Sequence, residues 1–139
     1  MAAPKIAGVL ETAIHVEDMK RAVEFYERLF QFERMDGNDR FCAFNVDGRN
    51  VFLLFLCGGS VEPVHTSGGV IPPHGGSGAL HFAFAIAAAD WDGWMKRLEA
   101  NSVTIESIVY WPLGGRSMYF RDPDNHLVEL VTPKTWPIY

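Results

Sequence analysis

The chain has 139 residues, 48 % of them hydrophobic, a net charge of −5 and an isoelectric point near 5.4. That length is one ordinary domain, able to bury a core without disulfide staples. An acidic balance with no basic cluster argues against nucleic acid or an anionic membrane surface as partner, and no apolar run approaches the roughly 18 residues needed to span a bilayer.

The N-terminal stretch MAAPKIAGVLETA has no long apolar segment of the secretory kind. Cys42 and Cys57 both sit in strand-like apolar runs. Two cysteines in such a chain read as reduced core thiols, and the expected location is the cytoplasm.

The first strand is expected over Val9 to Val16. A helix follows from Asp18, which can cap it, to about Phe30, with Met19, Val23, Tyr26 and Phe30 at helical spacing. MDGNDR reads as a turn, and FCAFNV and NVFLLFL as two strands of a hairpin joined through DGR. The texture then changes. Cys57 to Ala79 holds seven glycines and three prolines in 23 residues and reads as a long irregular connection.

After it the order repeats. ALHFAFAI is a strand, and Asp90 to Asn101 a helix with Trp91, Trp94, Met95 and Leu98 on one face. VTIESIVY is one strand or two short ones, and RSMYFRD and HLVELVT are strands joined by the turn DPDN. Each half reads strand, helix, then about three strands. Glu11 stands five residues before Val16 and His81 five before Ile86, so the repeat makes Glu11 and His81 equivalent.

Side chains alternate faces along a strand. Glu11, Ala13 and His15 share one face of the first strand; His81, Ala83 and Ala85 share one face of its counterpart; Glu129 shares a face with Leu127 and Val131. The large apolar residues fall on the opposite faces and suit packing against helices. Polar residues in half-exposed strands ordinarily face water. Two carboxylates and an imidazole on the inner faces of a curled sheet would instead suit a divalent metal, which makes their burial favourable. His15, one pleat beyond Glu11, is an alternative first-strand ligand; the repeat favours Glu11.

With HVEDMKRAVEFYERLFQFE, LHFAFAI and GGRSMYFRDPDNHLVEL, the chain resembles the vicinal oxygen chelate superfamily over about Val9 to Thr132. That superfamily holds glyoxalase I, extradiol dioxygenases, fosfomycin resistance enzymes and bleomycin-binding proteins. The resemblance implies an α+β fold of two tandem βαβββ modules with cupped mixed sheets in a single domain over 1–139. Module one would run from about 8 to 57, the connection from 58 to 79, and module two from about 80 to 132.

It further implies metal ligands at Glu11, His81 and Glu129, the first at a position where many members carry histidine and where glutamate also occurs. The metal would be zinc, iron(II), manganese or nickel, the partners a small-molecule substrate and a second copy in a homodimer. Modules exchanged across that dimer would let one site draw on two chains. Tyr119, ten residues before Glu129, matches a substrate-facing tyrosine of the family and would donate to a developing oxyanion. Arg116 is a candidate to steer an anionic substrate, and His74 on the connection a candidate acid or base; His65 lies on the same connection.

Some carry-overs fail. The fourth ligand of glyoxalase I would fall at Phe52 or Leu53, neither of which binds metal. YWPLGG lacks the extradiol histidine, and FCAFNV lacks the glutamate base of the hydrolytic fosfomycin enzymes. The expectation is therefore a metal-dependent enzyme binding vicinal oxygens, its reaction open among isomerisation, dioxygenation and epoxide opening. The rival is a non-catalytic small-molecule binding or resistance protein whose pocket would be lined by Trp91, Trp94, Trp111 and Trp136.

Overall fold

The computed structural model describes residues 1–139. The chain divides into two units, one of Met1–Val23 with Phe32–Gly76, the other of Glu24–Gln31 with Ser77–Tyr139.

The first unit is a four-stranded mixed sheet in the order β1-β4-β3-β2, from β1 (Glu11–Val16), β2 (Glu33–Gly37), β3 (Phe41–Val46) and β4 (Asn50–Leu56). β1 runs parallel to β4, and β4–β3 and β3–β2 are antiparallel. The turn between β3 and β4 places Asp47 and Gly48 at φ 53° and 67°. Both residues of a type I′ turn need positive φ, which is why Asp-Gly is a strong hairpin signal. Ile14, Val16, Phe44, Phe52 and Leu54 are buried on the sheet's core face.

Helix α1 (Met19–Phe30) starts where expected, with the Asp18 carboxylate accepting the Arg21 N–H at 3.0 Å. That bond satisfies one of the donors a helix N-terminus leaves open.

The second unit repeats the topology. β7 (His81–Ala85), β8 (Ser107–Tyr110), β9 (Arg116–Arg121) and β10 (Leu127–Val131) form a sheet in the order β7-β10-β9-β8, with β7 parallel to β10. A 3-10 turn at Ala88–Asp90 leads into helix α2 (Trp91–Ala100). The core holds Leu29, Phe82, Trp91, Leu98, Met118, Phe120, Val128 and Leu130. Phe30, at the end of α1, packs its ring near Phe84, Trp94 and Phe120 at 5.1, 5.4 and 6.3 Å between centroids. Phe120 is fully buried, which contributes roughly 1.5–3 kcal/mol from apolar area removed from water, and the other three rings are half-buried.

Several boundaries differ from expectation. β1 begins at Glu11, not Val9, and β8 at Ser107, leaving Val103 to Glu106 outside the strand. Met35, Asp36 and Gly37 belong to the edge strand β2. Every residue of β2 is exposed, so it carries no alternating apolar signal to read. The glycine-rich connection contains a small hairpin, β5 (Val64–Thr66) with β6 (Gly69–Ile71), paired only to each other. Cys42 is a buried free thiol, as expected, whereas Cys57, also free, is only half-buried and lies just beyond β4. No helix is long and apolar enough to cross a membrane.

Candidate functional site

The two sheets share one internal register. Glu11 pairs with Val51 and Ala13 with Leu53; His81 pairs with Leu127 and Ala83 with Glu129. Glu11 and His81 therefore occupy equivalent positions, and so do Leu53 and Glu129. Of Phe52 and Leu53, it is Leu53 that stands at Glu129's counterpart, on the face opposite the buried Phe52.

In the second unit, β7, β9 and β10 bring His81, Tyr119 and Glu129 to one face. Tyr119 lies directly across from Glu129 in the β9–β10 ladder. The DPDN turn makes this hairpin: Asn125 takes φ 66°, the Asp122 carbonyl accepts its N–H, and the Asp122 carboxylate accepts the N–H groups of Asp124 and His126, both at 2.9 Å.

His81 Nε2 lies 3.3 Å from Glu129 Oε1. His81 Nδ1 lies 3.0 Å from the Leu127 carbonyl oxygen. A carbonyl only accepts, so Nδ1 carries the hydrogen, and in neutral His81 the Nε2 lone pair faces the carboxylate. Two acceptors at that distance repel unless a cation lies with them, either a proton on Nε2 or a metal ion. An imidazole whose other nitrogen donates to a backbone carbonyl is the usual orientation of a metal-ligating histidine. Glu129 is 8 % exposed. Its second oxygen, Oε2, accepts from the Ser117 hydroxyl at 2.5 Å, and Ser117 Oγ accepts the Trp111 indole N–H at 2.8 Å.

The Tyr119 ring centroid is 6.2 Å from that of His81. Its phenol is raised above the ordinary tyrosine value, first by desolvation and then by the Glu129 charge. It is therefore protonated at neutral pH and acts as a hydrogen-bond donor.

In the first unit, Glu11 lines a cavity of about 520 Å³ with Arg40, Phe41, Leu53, Phe55 and His74. Glu11 is exposed there. The connection folds onto this face: the Ser60 hydroxyl donates to the His74 carbonyl at 2.8 Å, and the His74 N–H donates to the Ser60 carbonyl at 2.9 Å. The His74 ring stands edge-on to Phe55 at 4.5 Å and 5.6 Å from the His15 ring. His15 also stacks on Phe55, and Gly76 lies so close that a Cβ there would sit 2.7 Å from His15 Nδ1.

The predicted site residues thus fall into two sets. Glu11 and His74 share the cavity of the first unit; His81, Tyr119 and Glu129 share a sheet face in the second. No three His, Cys, Asp or Glu side chains are gathered into a metal-holding group. Arg116 is not brought to Tyr119 and Glu129. It shares a face of β9 with Met118 and Phe120, and its guanidinium lies 4.3 Å from the centre of the Trp91 ring, a cation–π contact. His65 lies on β5 and is exposed. The sequence reading missed Ser117, although strand parity puts it on the Tyr119 face. It took Trp111 only as pocket lining. No local pattern ties Trp111 to Glu129.

Comparison with known proteins agrees with this architecture. The family model for the glyoxalase/bleomycin resistance protein/dioxygenase superfamily matches residues 8–130. The crystal structure of a lactoylglutathione lyase from Agrobacterium tumefaciens superposes with a TM-score of 0.86 at 31 % identity, over 97 % of this chain and 100 % of that one. The fosfomycin resistance protein FosX of Listeria innocua is 28 % identical over 134 residues, 90 % of this chain and 89 % of the relative. A metallothiol transferase FosB of Bacillus licheniformis is 28 % identical over 131 residues, 92 % of this chain and 77 % of that protein. With a matched family model over most of its length and the doubled sheet topology that goes with it, the chain belongs to the glyoxalase/bleomycin resistance protein/dioxygenase superfamily.

Proposed function

We propose that the protein is a metal-dependent enzyme that binds vicinal oxygens of a small substrate, with His81, Glu129 and Glu11 as the protein ligands. The observation that carries this reading is the approach of His81 Nε2 to Glu129 Oε1 at 3.3 Å, with His81 Nδ1 turned to the Leu127 carbonyl, which leaves Nε2 and a carboxylate oxygen facing one point where a cation can sit. That donor set, one imidazole nitrogen and carboxylate oxygens, suits zinc, iron(II), manganese or nickel. A metal bound there supplies Lewis-acid polarisation of the substrate's oxygens.

The chain's own groups do the rest. The protonated Tyr119 phenol donates to a substrate oxygen that gains negative charge. Phe41, Leu53 and Phe55 offer an apolar wall beside Glu11 for the carbon skeleton of a substrate, and His74 stands at the same wall as a candidate acid or base. Leu53 in place of a fourth ligand favours a three-ligand site over the four-ligand arrangement of glyoxalase I. The names of the relatives, a fosfomycin resistance protein FosX and a metallothiol transferase FosB, make transfer of a thiol to fosfomycin the first reaction to assay. The protein works as a homodimer in the cytoplasm.

The test is metal content and affinity of protein purified without chelator or metal-affinity tag, in wild type and in His81→Ala, Glu129→Ala, Glu11→Ala and His15→Ala. Stoichiometric metal in the wild type, lost in the first three and kept in the fourth, supports the reading. A wild type that binds no zinc, manganese, iron(II) or nickel sinks it. Loss in His15→Ala with retention in Glu11→Ala replaces Glu11 by His15. Turnover is then sought with fosfomycin and water or thiols, hemithioacetals and catechols. Metal without turnover on any of them favours a binding protein. Mixing Glu11→Ala with His81→Ala chains restores metal sites only if one site draws on two chains.

A further inference from the structure

Trp111, Ser117 and Glu129 form a hydrogen-bonded line whose direction is fixed by chemistry. An indole N–H only donates, so the 2.8 Å contact makes Ser117 Oγ the acceptor of Trp111. The Ser117 hydroxyl hydrogen is then left for Glu129 Oε2, 2.5 Å away, and a carboxylate only accepts. Ser117 is fully buried, so water does not compete for that hydrogen. Trp111 is held in turn by the WPLGG turn, where its own N–H donates to the Gly115 carbonyl at 2.8 Å and its carbonyl accepts the Gly114 N–H at 3.0 Å. Gly114 takes φ +107°, a conformation that side-chain-bearing residues rarely adopt. A turn between β8 and β9 thereby sets the rotation of a carboxylate on β10.

The consequence lies in which oxygen is left. Oε2 is engaged by Ser117 and Oε1 faces His81 Nε2, with the Tyr119 phenol beside the same carboxylate. A carboxylate that loses its outer partner can swing about its last bond and offer both oxygens to a cation. One pinned by a one-way donor chain offers one.

We propose that Trp111 and Ser117 are positioning residues that restrict Glu129 to one-oxygen ligation, keeping a coordination position open for substrate. This rests on the metal-site reading above.

The experiment uses the intact protein with cobalt(II) and zinc as probes. In Ser117→Ala we expect zinc affinity to fall about tenfold, the lower end of what loss of an outer-shell partner does. We also expect the cobalt(II) visible absorption to weaken as the second oxygen raises the coordination number. Ser117→Thr keeps the hydroxyl and restores both. Trp111→Phe keeps Ser117 but removes its direction and shifts the cobalt spectrum the same way. The Trp111 indole N–H resonance, assigned from Trp111→Phe, provides a readout besides turnover. Zinc moves it in the wild type through the line of hydrogen bonds and leaves it unmoved in Ser117→Ala.

Wild-type zinc affinity, cobalt spectrum and zinc-induced indole shift in Ser117→Ala would overturn the proposal while leaving the metal site standing. A folded wild type that binds neither ion fails at the underlying reading instead. Thermal melting of the metal-free variants separates these outcomes from loss of fold.

Discussion

Replacing Tyr26 by Phe tests how the hairpin that carries Tyr119 and Glu129 is held. The Tyr26 hydroxyl donates to Asp122 Oδ2 at 2.7 Å, 96 residues away in the chain, and Asp122 is 5 % exposed. Asp122 is the hub of the DPDN turn. Burial raises its carboxyl above the ordinary value of 3.8, against the lowering effect of the Tyr26 hydroxyl and of the His126 and Asp124 N–H groups. Tyr26 is itself raised well above its ordinary value of 10.0 by burial and by the Asp122 charge, so it stays a donor throughout.

The sign follows from linkage. A carboxyl raised in the folded state binds protons more tightly there than in the unfolded chain. Its cost to stability is absent below 3.8 and grows as pH rises through the raised value. Tyr26→Phe removes a partner of the ionised form, so the raised value climbs further and the deficit grows with pH. A hydrogen bond to a charged group is worth about 1.5–3 kcal/mol and a neutral one about 1. At roughly 2.1 cal/mol/K per residue, 1 kcal/mol moves the Tm of this chain by about 3 °C. Thermal melts should therefore show a loss of about 7 °C at pH 7 and about half that near pH 4. An equal loss at both pH values, or a pH 7 change under about 0.5 kcal/mol, would refute the role given to the Tyr26–Asp122 bond.

Two other substitutions test neighbouring features. Gly115→Ala puts a Cβ 2.6 Å from backbone atoms of Lys134 and Thr135, which cannot yield as a side-chain tip can. A Tm fall corresponding to about 1–3 kcal/mol is expected, and an unchanged Tm would show that the segment gives way freely. Arg116→Ala removes the guanidinium over Trp91 and should cost about 0.5–1 kcal/mol in denaturant unfolding, with metal affinity and KM for any active substrate unchanged. A KM rise for anionic substrates alone would return Arg116 to the site.

The repeat, the element order and the equivalence of Glu11 with His81 are legible in the chain because they rest on local periods. Alternation along five or six residues puts His81 and Ala83 on one face, and a five-residue offset to the strand end recurs in both halves. Parity also sets Arg116 with Met118 and Phe120, away from Tyr119, though its position after PLGG drew it toward the site. β2 and the β5–β6 hairpin carry no such period and are not legible in the sequence.

Other features come only from tertiary structure, because they depend on contacts between segments far apart in the chain. Register decides that Leu53, not Phe52, stands in Glu129's place. The Leu127 carbonyl decides which nitrogen of His81 keeps its hydrogen, and the turn at Gly114 decides that Trp111 points its N–H at Ser117. Residue type supplies donors and acceptors, and spacing supplies faces. The direction of each hydrogen bond, and so the free oxygen of Glu129, is settled only when strands and turns meet.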